Sequence, residues 1–158
     1  MILSEPEALL TKASKLPGLD GEKMSKSYRN TIALRDDPER IKKEVKAMPT
    51  DPARIRRDDP GDPLKCPVWE FHHVYSNQDT RDWVEQGCRS ASIGCVDCKQ
   101  PLIDSLLVEQ KDIAERAEPY EQDSTLVRNI IADGCENARE IADETMEQVR
   151  SAMNLDYY

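Results

Sequence analysis

Apolar residues along this chain recur mostly at spacings of three and four, the period that gathers them on one side of an α-helix. Ile41, Val45 and Met48 follow Asp36-Asp37-Pro38, an acidic cap with proline at the first helical position, and Pro49 and Pro52 close the segment. After Pro67, Val68, Phe71, His72 and Tyr75 share a face; Asp79 caps the next helix, which carries Trp83 and Val84, with Trp83 read as core. Downstream of a cysteine-rich turn, Leu102, Ile103, Leu106, Leu107, Ile113 and Ala117 predict a long amphipathic helix. Asp123 or Ser124 caps another, with Leu126, Val127, Ile130 and Ile131 inward and Gly134 as its terminator. A last helix over residues 137–153 is expected to bury Ala138, Ile141, Ala142, Thr145, Val149 and Met153.

The remainder is irregular. Residues 6–10 read as a short helix or turn, and residues 31–34 as a short strand or extended lead-in. Residues 50–63, rich in proline, aspartate and arginine, read as a structured connector. No strand pair or internal repeat is evident. The fold class expected is mainly α, a helical bundle.

Composition narrows the picture. A length of 158 residues suits one domain with an appendage, and 34% charged residues suit a helix-rich chain with a modest core. No apolar run approaches the roughly 20 residues of a membrane span, and no secretory start is evident, so a cytoplasmic protein without membrane contact is expected. The net charge of -9 is unevenly spread: residues 1–66 carry +2 and residues 67–158 carry -11. An acidic helical part cannot hold RNA by a general positive field; it would read a few exposed bases locally.

Two groups of residues carry candidate chemistry. Lys23-Met24-Ser25-Lys26-Ser27 follows the turn sequence Pro17-Gly18-Leu19-Asp20-Gly21. Two ammonium groups and two hydroxyls on a glycine-bearing loop suit the oxygens of a triphosphate. The second group is Cys66, Cys88, Cys95 and Cys98, separated by 21, 6 and 2 residues, with only Cys135 elsewhere. Such clustering is a metal-site pattern, and four thiolates suit tetrahedral zinc or a four-iron, four-sulfur (4Fe-4S) cluster equally on ligand count. His72 and His73 read as structural rather than as ligands. Arg54, Arg56 and Arg57 suit either an RNA backbone or ion pairs with Asp51, Asp58 and Asp59. Trp69 is open to stacking on bases, and Lys99 reads as a solvated lysine.

The run from Leu16 to Tyr28 resembles the signature loop of class I aminoacyl-tRNA synthetases. Thr50-Asp-Pro-Ala-Arg-Ile-Arg-Arg57, Asp59-Pro-Gly-Asp-Pro63, Ile93-Gly-Cys-Val-Asp-Cys-Lys99 and Gly134-Cys-Glu-Asn-Ala-Arg139 extend the likeness to the tryptophanyl branch over nearly the whole chain. Arg29 departs from it, standing where the family usually has a small or polar residue. The resemblance implies ATP and magnesium (Mg2+) as cofactors, and tRNA(Trp) and tryptophan as partners. It also implies a homodimer when the enzyme is intact.

By the same resemblance Lys23 and Lys26 are catalytic, taking up charge on the leaving pyrophosphate. Ser25 and Ser27 orient phosphate oxygens, Met24 anchors the loop, and Leu16 packs against adenine. Cys66, Cys88, Cys95 and Cys98 would hold the 4Fe-4S cluster of an iron–sulfur-bearing subset, zinc being the alternative. Their first gap is one residue shorter than in that subset. Residues 1–36 are then expected to end a catalytic domain and residues 37–158 to form the helical anticodon-binding domain, with the cysteine site at 66–98. A His-x-Gly-His-type ATP motif is not found, so the chain is expected to be the C-terminal part of a tryptophan–tRNA ligase and inactive alone. A non-catalytic, metal-bearing helical module that binds RNA or protein is the alternative, and a purely structural metal-stapled bundle a third reading.

Overall fold

A computed structural model describes residues 2–11 and 15–155. Five α-helices follow one another: α1 (Pro38–Ala47), α2 (Pro67–Tyr75), α3 (Gln78–Arg89), α4 (Cys95–Gln122) and α5 (Ser124–Ala152). Two 3-10 turns, Lys26–Tyr28 and Pro63–Lys65, lie in the connections. Among the described residues there is no strand, only an isolated antiparallel bridge between Pro17 and Lys23. The mainly helical fold class therefore stands.

The helix starts show why these segments form. Asp37 accepts the main-chain N–H groups of Glu39 and Arg40, and Pro38 occupies the first turn of α1. Asp123 caps α5 by accepting from Thr125 and Leu126. At α3 the cap is Asn77, whose Oδ1 accepts from Thr80, rather than Asp79 in the first turn. Residues 6–10 and 31–34 form neither helix nor strand.

The chain divides into two compact units, residues 10–115 and residues 1–9 with 116–158. In the first, Ile41, Val45, Met48, Val68, Phe71, Leu102, Ile103 and Leu106 make one buried cluster. Leu16, Leu19, Met24, Ile32, Cys66, Tyr75 and Leu107 pack against its rim. The inward faces of α1, α2 and α4 thus match their periodicity. Trp83 does not: it is 44% exposed, because Val84 and Gly87 are the residues that α3 turns inward. Trp69 is buried, with its ring edge-on to His73 at 4.9 Å.

The second unit overturns two expectations. α5 runs through Gly134 to Ala152 as one helix, since an interior glycine costs only about 1 kcal/mol and no proline follows it. No residue of α5 is buried, and Leu126, Ile130, Ile131, Ile141 and Met153 are exposed. Periodicity marks which face is apolar; burial also requires a partner layer. Among the described residues no helix is long and apolar enough to cross a membrane.

Candidate functional site

The signature segment is a hairpin closed around one carboxamide. Gly18 N–H donates to the Glu22 carbonyl and Gly21 N–H to the Gly18 carbonyl, at 2.6 and 2.9 Å. Asn30, 4% exposed, fills the hairpin's interior. Its Nδ2 donates to Asp20 Oδ1 at 2.8 Å and to the Lys23 carbonyl at 3.1 Å; its Oδ1 accepts the Ser25 N–H at 2.8 Å. Its own carbonyl accepts the Leu19 N–H at 2.8 Å. A Cβ on Gly18 would collide with the Asn30 side chain and carbonyl, so only glycine lets the two arms of the hairpin close. The Asn30 hydrogen bond, with lesser help from the Glu22 N–H, holds the Asp20 carboxyl below the usual carboxylate range. Nothing in the pentapeptide singles out Asn30; the only sequence signal was a small amide two residues past Tyr28.

This frame sets out the signature residues. Met24 and Leu16 are half-buried against the core, Ser25 is half-buried, and Lys23, Lys26 and Ser27 are exposed. Ser25 caps the 3-10 turn by accepting the Ser27 N–H at 3.3 Å, and Arg29 ends it in the left-handed region at φ 53°. A cleft of about 560 Å³ lies beside the hairpin; Lys15, Lys23, Lys65, Glu22 and Glu70 border it, whereas Lys26 and Ser27 do not.

The four cysteines meet although they come from three elements. Cys66 immediately precedes α2, Cys88 lies near the end of α3, and Cys95 and Cys98 occupy the first turn of α4. The Cys-x-x-Cys stretch is therefore helix rather than the turn its spacing suggested, and Asp97 accepts the Gly94 N–H at its start. All four line one cavity, with about 20 Å³ open to a water molecule inside about 320 Å³ of unfilled space. Among the described residues no group of three or more His, Cys, Asp or Glu side chains is arranged to hold a metal ion as it stands. Cys135 is exposed on α5.

The surroundings of this cavity are tightly fitted, and the charged residues among them, Asp51, Arg54 and Lys99, turn their polar atoms to main-chain partners. Burial pushes the Cys66 and Cys88 thiols up, with Arg54 opposing the rise at Cys88. Burial, with the other three sulfurs adding to it, pushes Cys98 up to about 12. His72 is fully buried, its Nε2 lies 3.4 Å from Cys98 Sγ and its Nδ1 2.8 Å from Ser76 Oγ. Burial lowers its pKa to about 4, so the ring is neutral and structural, as its place on the packed face implies. Gly61 passes so close that a Cβ there would lie 2.7 Å from Cys88 Sγ.

Lys99 corrects its reading as a solvated lysine. It is 3% exposed, and Nζ donates to the Lys46 and Met48 carbonyls at 2.8 and 2.6 Å. Those carbonyls end α1 without helical partners, which is the physical reason an ammonium is drawn inside. Arg54 is likewise buried and gives Nη2 to the Arg57 and Ile93 carbonyls rather than to a carboxylate. Arg57 pairs at 3.8 Å with Asp97, and Asp59 accepts the main-chain N–H groups of Ile55 and Arg56.

Comparison with known proteins gives these positions a context. The family described as "tRNA synthetases class I (W and Y)" matches residues 2–107. The tryptophan–tRNA ligase of Ralstonia nicotianae is 60% identical over 157 residues, spanning 99% of this chain and 39% of that protein. The tryptophan–tRNA ligase of Thermotoga maritima is 45% identical over 155 residues, spanning 98% of this chain and 47% of that one. The chain thus spans less than half the length of these relatives. The crystal structure of Campylobacter jejuni tryptophanyl-tRNA synthetase complexed with ADP and tryptophan superposes with a TM-score of 0.75 over 98% of this chain and 48% of that one; at 24% identity it speaks for the fold alone.

Proposed function

The chain belongs to the class I tRNA synthetases of the tryptophan and tyrosine group, and we propose that it contributes the signature loop and anticodon-reading helices of a tryptophan–tRNA ligase. The observation that carries this is the 60% identity to such a ligase across 99% of the chain. The intact enzyme would use ATP with Mg2+ to activate tryptophan and transfer it to tRNA(Trp), acting as a homodimer in the cytoplasm. Residues 1–36 would close its catalytic domain, and residues 37–158 would form the helical anticodon-binding part.

In activation, the tryptophan carboxylate attacks the α-phosphate of ATP and pyrophosphate leaves. Lys23 and Lys26 would meet the charge gathering on that leaving group, an effect most valuable when the donors are held in place beforehand. The Asn30 hydrogen bonds supply such a frame, since they fix the Lys23 carbonyl and the Ser25 N–H on either side of Met24. Ser25 and Ser27 would orient phosphate oxygens. Met24 would seat the loop on the core it already touches, and Leu16, on the same rim, would border adenine.

Cys66, Cys88, Cys95 and Cys98 would hold a metal centre whose role is to staple α2, α3 and α4. The fit is supported by four sulfurs on one nearly closed cavity. A single zinc ion asks for sulfurs about 2.3 Å away, hence roughly 3.8 Å from each other. Four thiolates on one cavity suit a 4Fe-4S cluster or a zinc ion alike on ligand count, and the resemblance to the iron–sulfur-bearing subset is what favours the cluster. The functional test is ATP–pyrophosphate exchange by the intact enzyme containing this chain. Exchange should depend on tryptophan; exchange supported by tyrosine and not tryptophan would overturn the assignment.

A further inference from the structure

The cysteine cavity is lined by cations as well as by thiols. Arg54 is 8% exposed and Lys99 3%, and both border the cavity. Neither takes part in an ion pair among the described residues. Arg54 reaches Cys88 Sγ with Nη1 at 3.9 Å, and its buried Nε has no partner. Lys99 has only main-chain carbonyls around its ammonium, those of Lys46 and Met48. The carboxylate that also lines the cavity, Asp51, is taken by the N–H groups of Ala53 and Asp62 at 3.0 and 2.8 Å.

Burying an uncompensated charge is expensive, and four neutral thiols compensate almost nothing. One carboxylate against two cations leaves the residues around the cavity net positive. Four thiolates around a dipositive centre, whether zinc or an oxidised 4Fe-4S core, carry two negative charges in total. The residues around the cavity are opposite to it in sign.

We propose that Arg54 and Lys99 are built-in counter-charges for an anionic metal–tetrathiolate centre held by Cys66, Cys88, Cys95 and Cys98. The proposal rests on the metal-centre reading of those cysteines. Arg54 acts as a hydrogen-bond donor to Cys88 and as a fixed positive charge. Lys99 supplies a second charge from the turn of α4 that carries two of the sulfurs, while tying that turn to the end of α1. Both are positioning residues; neither is a ligand.

The test uses the full 158-residue chain, loaded without oxygen with ferrous iron and sulfide, and separately with zinc alone. Metal per chain, visible absorption, helical circular dichroism and the rate of metal loss to a chelator are read for wild type, Arg54→Gln, Arg54→Lys, Lys99→Gln and Cys88→Ser. Outer partners of metal ligands typically matter by about 10- to 100-fold. Arg54→Gln should therefore lose metal at least about tenfold faster, while Arg54→Lys stays within about threefold of wild type. Equal loss rates in wild type and Arg54→Gln overturn the counter-charge role and leave the metal reading standing. Loss from Arg54→Lys as fast as from Arg54→Gln assigns Arg54 to packing and also overturns it. If Arg54→Gln does not fold, Lys99→Gln carries the same comparison, and release at the wild-type rate refutes the proposal. Failure of wild type to take up either metal, matching Cys88→Ser, removes both readings together. The iron and zinc arms separate the two centres.

Discussion

Replacing Asn30 by alanine removes the carboxamide on which the signature hairpin is hung. Three side-chain hydrogen bonds vanish, to Asp20 Oδ1, the Lys23 carbonyl and the Ser25 N–H. Asp20 is exposed and rehydrates at little cost, so the two main-chain bonds decide the magnitude. At about 1 kcal/mol net each they sum to about 2 kcal/mol, more where water cannot reach the stranded groups. The loss is local, because the core cluster of Ile41, Phe71 and Leu102 does not include Asn30. Native-state hydrogen exchange reads it directly: the Ser25 amide should exchange roughly 30-fold faster in Asn30→Ala. The Leu19 amide, which donates to the Asn30 main-chain carbonyl, should change less. Ser25 exchange within about threefold of wild type would show that the carboxamide does not hold the loop.

Lys26→Ala in the intact enzyme should lower adenylate formation about a hundredfold with tryptophan affinity nearly unchanged, as measured by pyrophosphate exchange; an unchanged rate removes Lys26 from its role. Gly61→Ala should destabilise the 10–115 unit by about 1–3 kcal/mol, since its Cβ would press on Cys88 Sγ at 2.7 Å and Arg54 Cδ at 3.2 Å; an unshifted denaturant midpoint contradicts this. Gly134→Ala should raise stability by about 1 kcal/mol, because the site is interior to α5 and nothing lies within 4 Å of the added Cβ; thermal unfolding of the helix at an unchanged or lower midpoint sinks the argument. Asp20 has a folded-state pKa below its ordinary 3.8, so its contribution is present above that value and is lost as pH falls through the lower one. Asp20→Asn should be less stable than wild type at pH 6 and lose that deficit progressively as pH falls below the ordinary 3.8, as followed by urea unfolding.

Local signals in the chain placed some elements and misplaced others: α3 is capped by Asn77 rather than Asp79, and Gly134 does not end its helix. Asp37-Pro38 announces α1 because cap and proline act within one turn, and Ile41, Val45 and Met48 are buried as their spacing requires. Where a long-range partner decides, the pattern under-determines the result. Trp83 neighbours Val84 on α3 but faces outward, and α5 has an apolar stripe with no buried residue. Lys99 reads as a surface residue by type, and only the free carbonyls at the end of α1, some fifty positions earlier, draw it inward. The cysteine spacing indicated a shared destination for the sulfurs, yet not that two of them begin a helix. Asn30 shows the same limit from the other side: its importance lies in four hydrogen-bonded groups spread between Leu19 and Ser25.

The placement of Cys95, Cys98 and Lys99 in the opening turns of one helix constrains how this region can drift in length. Each residue inserted or deleted between Cys95 and Lys99 would rotate the remainder of α4 by about 100°, swinging a sulfur or the ammonium off the cavity. Between Cys66 and Cys88 the chain crosses the non-helical junction Ser76-Asn77, where a lost residue can be absorbed without turning either flanking helix. Length variation among related sequences should therefore collect at that junction and be purged from the start of α4.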